Sequence, residues 1–326
     1  MPKYSAFILV ALGSLSALAA SLRQHNDSSG STGLSSASAV LVAAQTAYIA
    51  GGGDKKTTSY VANKQTGTVP AETLVKYARY AGAAYKVNGT SWSCDINCQA
   101  DDTKGTVVDY HWDLSAKLNP SYGYVAHKPD TKEIIASWRG STVFMDFVKD
   151  LTFVPVSWPA GIPGSKVHLG FLQAYQAAAQ NIDVEISKLV AKFPDYSIVI
   201  AGHSLGSAQA TLATVDLALR HPEWVGKMKL FTYGEPRVGN PAFAAWISQQ
   251  PLPIYRVVYG GDMAPRLPFR FMGFEHHSQE VWYDKSGALK FQGSNGESPY
   301  GQNSLIVLQW DATVHYKYPG LDFSLF

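Results

Sequence analysis

The chain has 326 residues, 46% hydrophobic and 16% charged, with a formal net charge of +2 when histidine is neutral. That length buries a substantial core and makes one large α/β domain the default expectation. The near balance of charge gives no basic footprint for nucleic acid.

Residues 1–19 read as a signal peptide. Lys3 supplies the positive end, "AFILVALGSLSALA" the apolar run and Ala17-Leu18-Ala19 a small-residue cleavage site. The run is too short for a comfortable membrane span, and no later segment is long and apolar enough for one. The expectation is a secreted, extracellular protein without transmembrane anchoring. Residues 20–69 form a propeptide or flexible leader, because "DSSGSTGLSSASA" and "GGGDKKTTS" are low in complexity. Lys55-Lys56 is a candidate processing site in it. Asn26 and Asn88 each begin an N-x-Ser/Thr acceptor, and only Asn88 falls in the expected folded domain, residues 70–326.

The first periodic pattern is "VPAETLVKYARYAGAAY", a helix with Pro70 near its start and Leu74, Tyr77, Ala78 and Ala81 on one face. Cys94 and Cys98 follow. In an oxidising compartment they pair into a small local loop. Two cysteines with no nearby histidine do not make a zinc site, and no metal or organic cofactor is implied anywhere. Farther along, "YGYVAHK" and "EIIASW" read as strands, "FLQAYQAAAQNIDVEISKLVAKF" as a long helix stopped by Pro194, "SIVIAG" as a buried strand and "SAQATLATVDLALRH" as a helix. The segments "MKLFTYG", "IYRVVYG" and "QEVWYD" are further strands. Apolar strands alternating with amphipathic helices predict a mainly parallel sheet covered on both faces. Such sheets bind ligands at the carboxyl ends of their strands.

Gly202-His203-Ser204-Leu205-Gly206 is a G-x-S-x-G. The bare pattern is weak, and its context gives it weight: it sits between a buried strand and a helix. A serine on that sharp turn projects its hydroxyl at the carboxyl edge of the sheet, and the helix N-terminus faces developing negative charge. Serine becomes a nucleophile when a histidine takes its proton and a carboxylate orients that histidine. In this arrangement the acid and then the base follow the serine along the chain. Asp262, just past a strand in a Gly-Gly loop, is the expected acid. Asp284 competes, but "DKSGALK" reads as an exposed turn. The candidate bases are His276, His277 and His315. His315 is expected, because the first two precede the strand "QEVWYD" and would come from the same connection as Asp262. His276 is expected to order its loop and His277 to be solvated.

The blocks "SWRGS", "DLTFVPVSWP", "KVHLGFLQAY", "VIAGHSLG", "YGEPRVGNPAFA", "YGGDMAPRLP" and "GFEHHSQEVWY" occur in the order and near the spacing of the filamentous-fungal class 3 lipase family. The chain resembles that family, the secreted triacylglycerol lipases of Rhizomucor and Rhizopus type, from about Pro70 to Tyr318. The resemblance implies an α/β-hydrolase fold with a helical lid. It also implies ester cleavage with Ser204 as nucleophile, Asp262 as acid and His315 as base. Two departures stand out. Ser207 replaces a usual second glycine, which bears on how the nucleophile helix packs. Only one disulfide is possible, which bears on thermal robustness.

An oxyanion needs at least two donors. The Leu205 N–H is one, and the family match puts the other at Ser141; alone, Ser141 also reads as a helix N-cap. After it, Val143, Phe144, Phe147, Val148 and Leu151 fall on one helical stripe. A core helix would explain the stripe. Its position over the site, together with the family pattern, implies a lid instead. Opening it in water exposes side chains worth about 1.5–3 kcal/mol each when fully buried, and a lipid–water interface removes most of that penalty. The expected substrate is therefore a triglyceride or other lipid ester. Feruloyl esterases share "GEPR" but carry a polar flap, and phospholipase A1 activity is a further alternative. A catalytically silent lipid-binding protein is the alternative from another class, and the complete Ser204, Asp262 and His315 set argues against it.

Overall fold

Continuous apolar runs dictate a sheet with two buried faces, and the computed structural model contains one. It describes residues 67–94, 96–114, 120–141 and 153–321. The chain divides into units Met1–Thr57 and Thr58–Phe326, and every described residue belongs to the second. The expected signal peptide, the leader up to residue 66, Asn26 and the Lys55-Lys56 pair lie outside the described residues.

In chain order the helices are α1 (Ala71–Ala83), α2 (Ile96–Gln99), α3 (Leu169–Lys192), α4 (Leu205–Arg220) and α5 (Pro241–Ser248). The strands are β1 (Val107–Asp113), β2 (Tyr122–Lys128), β3 (Glu133–Trp138), β4 (Pro155–Ser157), β5 (Lys166–His168), β6 (Ser197–His203), β7 (Met228–Tyr233), β8 (Ile254–Tyr259), β9 (Glu280–Tyr283) and β10 (Leu289–Gly293). Eight of them form one sheet in the order β1-β2-β3-β6-β7-β8-β9-β10. The run from β3 through β6, β7 and β8 to β9 is parallel. The β1–β2, β2–β3 and β9–β10 pairs at the edges are antiparallel. The sheet is thus parallel at its centre, as expected, with antiparallel margins.

The pleat sorts side chains between two cores. Ile134, Ala136, Ile198, Ile200 and Leu230 pack on the α3 and α4 side, with Phe171, Leu172 and Leu212. Ile135, Val199, Phe231 and Tyr233 pack on the other side against Leu74, Tyr77, Ala78 and Ala81 of α1. The apolar face read for α1 is the face it buries. Pro70 occupies its N-cap, where a missing N–H costs nothing. The helix α3 begins two residues before the predicted Phe171, because His168 caps it by accepting the Phe171 N–H at 3.3 Å. It ends at Lys192, with Phe193 as its C-cap just before Pro194. No helix among the described residues is long and apolar enough to cross a membrane.

Cys94 and Cys98 form the expected disulfide, with Cα atoms 5.3 Å apart. Asn88 is exposed in a turn beside Gly89.

Candidate active site

The turn from β6 into α4 builds the site. Ser204 stands at φ 57° and ψ −130°, a left-handed conformation that a residue with a Cβ adopts at a cost of about 1–3 kcal/mol. Close packing holds it there. A Cβ on Gly202 would lie 2.4 Å from the Gly206 carbonyl oxygen, and one on Gly206 would lie 2.2 Å from the Trp138 carbonyl oxygen. Only glycine lets the helix start pass so near both strands. The Ser204 N–H is anchored on the Tyr233 carbonyl at 2.8 Å. Its Oγ is buried and has no hydrogen-bond partner among the described residues.

Ser207 answers the question raised by its departure from glycine. Its buried hydroxyl donates to the Gly202 carbonyl at 2.6 Å and accepts the Tyr233 N–H at 3.0 Å. The side chain sews the turn to β7 and does not loosen it.

Asp262 follows β8 and His315 lies in a single helical turn, Ala312–Tyr316, past the last strand. They meet: His315 Nδ1 lies 3.0 and 2.9 Å from the two Asp262 carboxylate oxygens, with both side chains wholly buried. The Ala264 N–H and the Tyr318 hydroxyl also donate to that carboxylate, at 2.9 and 2.5 Å. Burial on its own would raise the Asp262 pKa. The attraction and hydrogen bonding of His315, with the Tyr318 and Ala264 bonds, outweigh it and hold the carboxyl below its ordinary value. Asp262 is therefore an anion that fixes the proton of His315 on Nδ1 and leaves Nε2 for chemistry. Gly234 makes room for the pair, since a Cβ there would lie 2.9 Å from His315 Cε1 and 3.0 Å from Asp262 Oδ2.

The competitors are otherwise occupied. Asp284 caps the turn between β9 and β10 through Ser286 and the Ala288 N–H. His276 orders its loop, with Nε2 2.5 Å from the Pro265 carbonyl and its own N–H on Glu297. His277 is not solvated as expected. It is 2% exposed, with Nε2 2.9 Å from Glu235 and Nδ1 2.6 Å from the Ser278 carbonyl. The reason is Glu235, which is itself buried after β7 and takes hydrogen bonds from Thr211 and Thr232. A histidine is needed there to complete a buried carboxylate's partners.

Leu205 opens α4, so its N–H belongs to the helix's first turn, where no intrahelical carbonyl reaches it. Ser141 is half-buried and follows Gly140, on which a Cβ would lie 2.6 Å from Ser204 Cβ. The loop after β3 therefore lies against the nucleophile candidate. Val143, Phe144, Phe147, Val148 and Leu151, the residues expected to form a lid, lie outside the described residues.

The sequence reading missed four contributors. Tyr318 holds Asp262. Tyr85 and His203 join the surrounding loops. Arg237, in "GEPR", donates to both carboxylate oxygens of Glu297 and to the Arg266 and Pro268 carbonyls, pinning the loop after Asp262. An arginine among Gly, Glu and Pro, four residues after the strand β7, was the available signal for the last. No group of acidic, cysteine or histidine side chains among the described residues is arranged to hold a metal ion.

The family profile described as Lipase (class 3) matches residues 135–272, which include Ser204 and Asp262. The chain is 36% identical to a lipase of Rhizomucor miehei over 242 residues, and 34% identical to a lipase of Rhizopus niveus over 229. These alignments cover 73% and 69% of this chain. A solved triacylglycerol lipase, whose catalytic centre is described as a serine protease triad, superposes with a TM-score of 0.72 at 32% identity. That superposition covers 81% of this chain and 98% of the other. The chain belongs to the class 3 lipase family. Its fold is the α/β-hydrolase fold. This class 3 lipase-family chain spans 65% of the length of the Rhizomucor relative and 57% of the Rhizopus one.

Proposed function

We propose that the chain is a secreted carboxylic ester hydrolase, a lipase that cleaves triacylglycerols at a lipid–water interface. The observation that carries this reading is the buried Asp262–His315 pair, whose histidine carbonyl lies 2.9 Å from Nε2 of His203, the residue before the strained Ser204.

In this mechanism the Ser204 hydroxyl oxygen attacks the ester carbonyl carbon, and its proton passes to His315 Nε2. The tetrahedral oxyanion is held by the Leu205 N–H and by Ser141; one such donor supplies about 3–4 kcal/mol of transition-state stabilisation. Collapse breaks the bond to the glycerol oxygen, which leaves with the proton from His315. Water then attacks the acyl-serine, giving a proton to His315, and the fatty acid departs as Ser204 recovers it. Asp262 stays ionised throughout and stabilises the imidazolium that forms twice per cycle.

The substrate assignment rests on the apolar stripe of Val143, Phe144, Phe147, Val148 and Leu151. Over a hydrolase site such a stripe covers the entrance in water and meets oil when it opens. Secretion is supported by the charged, apolar and small-residue pattern of residues 1–19, and the low-complexity stretch to residue 69 acts as a leader.

The test is rate against concentration of a partly soluble triglyceride, carried through its solubility limit. The reading expects a jump in rate at the limit. A hyperbolic curve that saturates below it, with no change at the limit, removes the interfacial assignment and leaves a soluble esterase. Absence of turnover on both the triglyceride and a short p-nitrophenyl ester removes the hydrolase reading.

A further inference from the structure

Three loops supply the parts of the site: the one after β3 carries Ser141, the β6–α4 turn carries Ser204, and the C-terminal turn carries His315. Their backbones are joined by one chain of hydrogen bonds that contains none of these side chains. The Gly140 N–H donates to the Tyr85 hydroxyl oxygen at 3.0 Å. Tyr85 Oη lies 2.7 Å from His203 Nδ1. His203 Nε2 lies 2.9 Å from the backbone carbonyl oxygen of His315.

The protons in this chain have one arrangement. A backbone N–H only donates, so Tyr85 accepts from Gly140 and has its own proton to give to His203 Nδ1. Burial, with the charge of His315 as a lesser cause, pushes the His203 pKa down to about 3, so the ring is neutral at working pH. A neutral imidazole that accepts at Nδ1 carries its proton on Nε2, and Nε2 faces a carbonyl, which only accepts. The opposite tautomer would set a lone pair against that carbonyl. Burial also raises the Tyr85 phenol far above its ordinary value, so the hydroxyl keeps its proton. Both rings exclude water: His203 is 0% exposed, and its ring centroid is 4.6 Å from that of His315.

We propose that Tyr85 and His203 are positioning residues, a directional relay that fixes the oxyanion loop at Gly140 and the backbone of the base His315 at set distances across Ser204. Gly140 is one residue from the proposed oxyanion donor, and a Cβ on it would overlap both Ser204 Cβ and Tyr85 Oη at 2.6 Å. The loop is therefore in contact with the nucleophile at one end and tied through the relay at the other. The turn Ala312–Tyr316 is too short to hold His315 by its own ladder. The His203 bond gives it a backbone anchor separate from the Asp262 bond to its ring. The residue preceding the nucleophile thus spans donor loop and base, and a shift in either changes the alignment of the tetrahedral intermediate without touching the bound ester. This inference rests on the hydrolase reading above.

The test uses the purified full chain, a soluble p-nitrophenyl butyrate assay that separates kcat from KM, and Tm on the same preparations. Four variants are compared: Tyr85→Phe, His203→Leu, His203→Gln and the double Tyr85→Phe/His203→Leu. A glutamine amide nitrogen sits as many bonds from Cβ as His203 Nε2, so His203→Gln keeps a donor for the His315 carbonyl. Misplaced catalytic groups lower kcat by about tenfold to hundredfold while KM stays within about twofold, and this is the expectation for Tyr85→Phe and His203→Leu. His203→Gln recovers most of the kcat lost in His203→Leu. The double variant is no slower than His203→Leu, because a relay cut once is already cut. A fall in Tm with kcat unchanged makes the pair structural packing and overturns the proposal, as do losses that multiply in the double variant or a His203→Gln as slow as His203→Leu. If His203→Leu does not fold, the double Tyr85→Phe/His203→Gln takes its place, with a kcat no lower than that of Tyr85→Phe required. Wild-type turnover with unaffected variants sinks only the relay, whereas a wild type without turnover sinks the hydrolase reading and the relay with it.

Discussion

The Tyr318 hydroxyl donates at 2.5 Å to Oδ2 of Asp262, the same oxygen that lies 2.9 Å from His315 Nδ1. Both Tyr318 and Asp262 are buried, so no water substitutes when the phenol is removed. A hydrogen bond to a charged group contributes about 1.5–3 kcal/mol. Tyr318→Phe should therefore raise the Asp262 pKa: the carboxylate, its charge no longer shared with the phenol, favours the imidazolium more strongly but is freer to turn, so it orients the ring less well. The expected result is a kcat lower by about tenfold on a soluble ester, and an acid limb of the pH–rate profile displaced upward. An unchanged kcat and an unchanged profile would show that Ala264 and His315 alone hold the carboxylate.

Stability should begin to fall at a higher pH than carboxylates would require. Burial pushes His168 down to about 4 and His203 down to about 3, and burial with the nearby Arg256 and Arg237 charges pushes His276 well below its ordinary value. In the unfolded chain each binds a proton near pH ~6.5. Between that pH and the folded values the unfolded state holds more protons, so stability drops as pH falls, by roughly 1.4 kcal/mol per pH unit for each histidine. Tm measured from pH 7.5 to 4.5 should decline steadily from about pH 6.5. A flat Tm down to pH 4.5, with loss only below, would mean these rings accept protons without unfolding.

Arg237 and Glu297 form a two-bond ion pair at 2.6 and 3.0 Å, with side chains 3% and 1% exposed. Breaking one partner leaves a buried charge alone, at a cost of about 3–5 kcal/mol. Arg237→Ala also frees the carbonyls of Arg266 and Pro268 that fix the loop after Asp262. Chemical denaturation should show a loss in that range, with activity falling in the surviving folded protein. A loss under about 1 kcal/mol would mean that water replaces the guanidinium in this loop.

Some of this architecture is legible from residue order alone. The strands β3, β6, β7 and β8 are apolar runs because both faces are buried, and Ser204 and Asp262 each sit just past a strand whose pattern is clear, whereas His315 is marked only by its place beyond β9 in chain order. Other parts are not. β1 was missed because "VVDYHWD" is broken by a bulge between Val108 and Tyr110 and by polar residues at the sheet edge. β10, "LKFQG", is an edge strand with no fully buried residue, and β4 and β5 have three residues each. His277 looked like a surface residue because its partner Glu235 lies 42 positions away. Tyr85 and Tyr318 carry no local signal either. A tyrosine's role depends on which loop the fold sets against it, here His203 at 118 positions and Asp262 at 56.

Phe144 and Phe147 belong to the stripe assigned to the lid. Replacing both with Ser should leave activity on dissolved short esters intact or higher, since the chemical groups are untouched. Activity on emulsified long-chain triglyceride should drop, and the jump at the solubility limit should shrink. A buried core helix would behave differently, losing several kcal/mol of stability and both activities in proportion. Tm measured beside the two assays separates these outcomes.

Ser204 is the proposed attacking group, made nucleophilic by His315 and Asp262, and a covalent trap reports on it. A p-nitrophenyl alkylphosphonate reacts with an activated serine, releases p-nitrophenol and leaves a stable phosphonyl ester. The wild-type chain should release one equivalent, lose its activity, and carry the added mass on the peptide containing Ser204. His315→Ala should react far more slowly while remaining folded. Labelling at another residue, or full reactivity of a Ser204→Ala chain, would show that Ser204 is not the nucleophile.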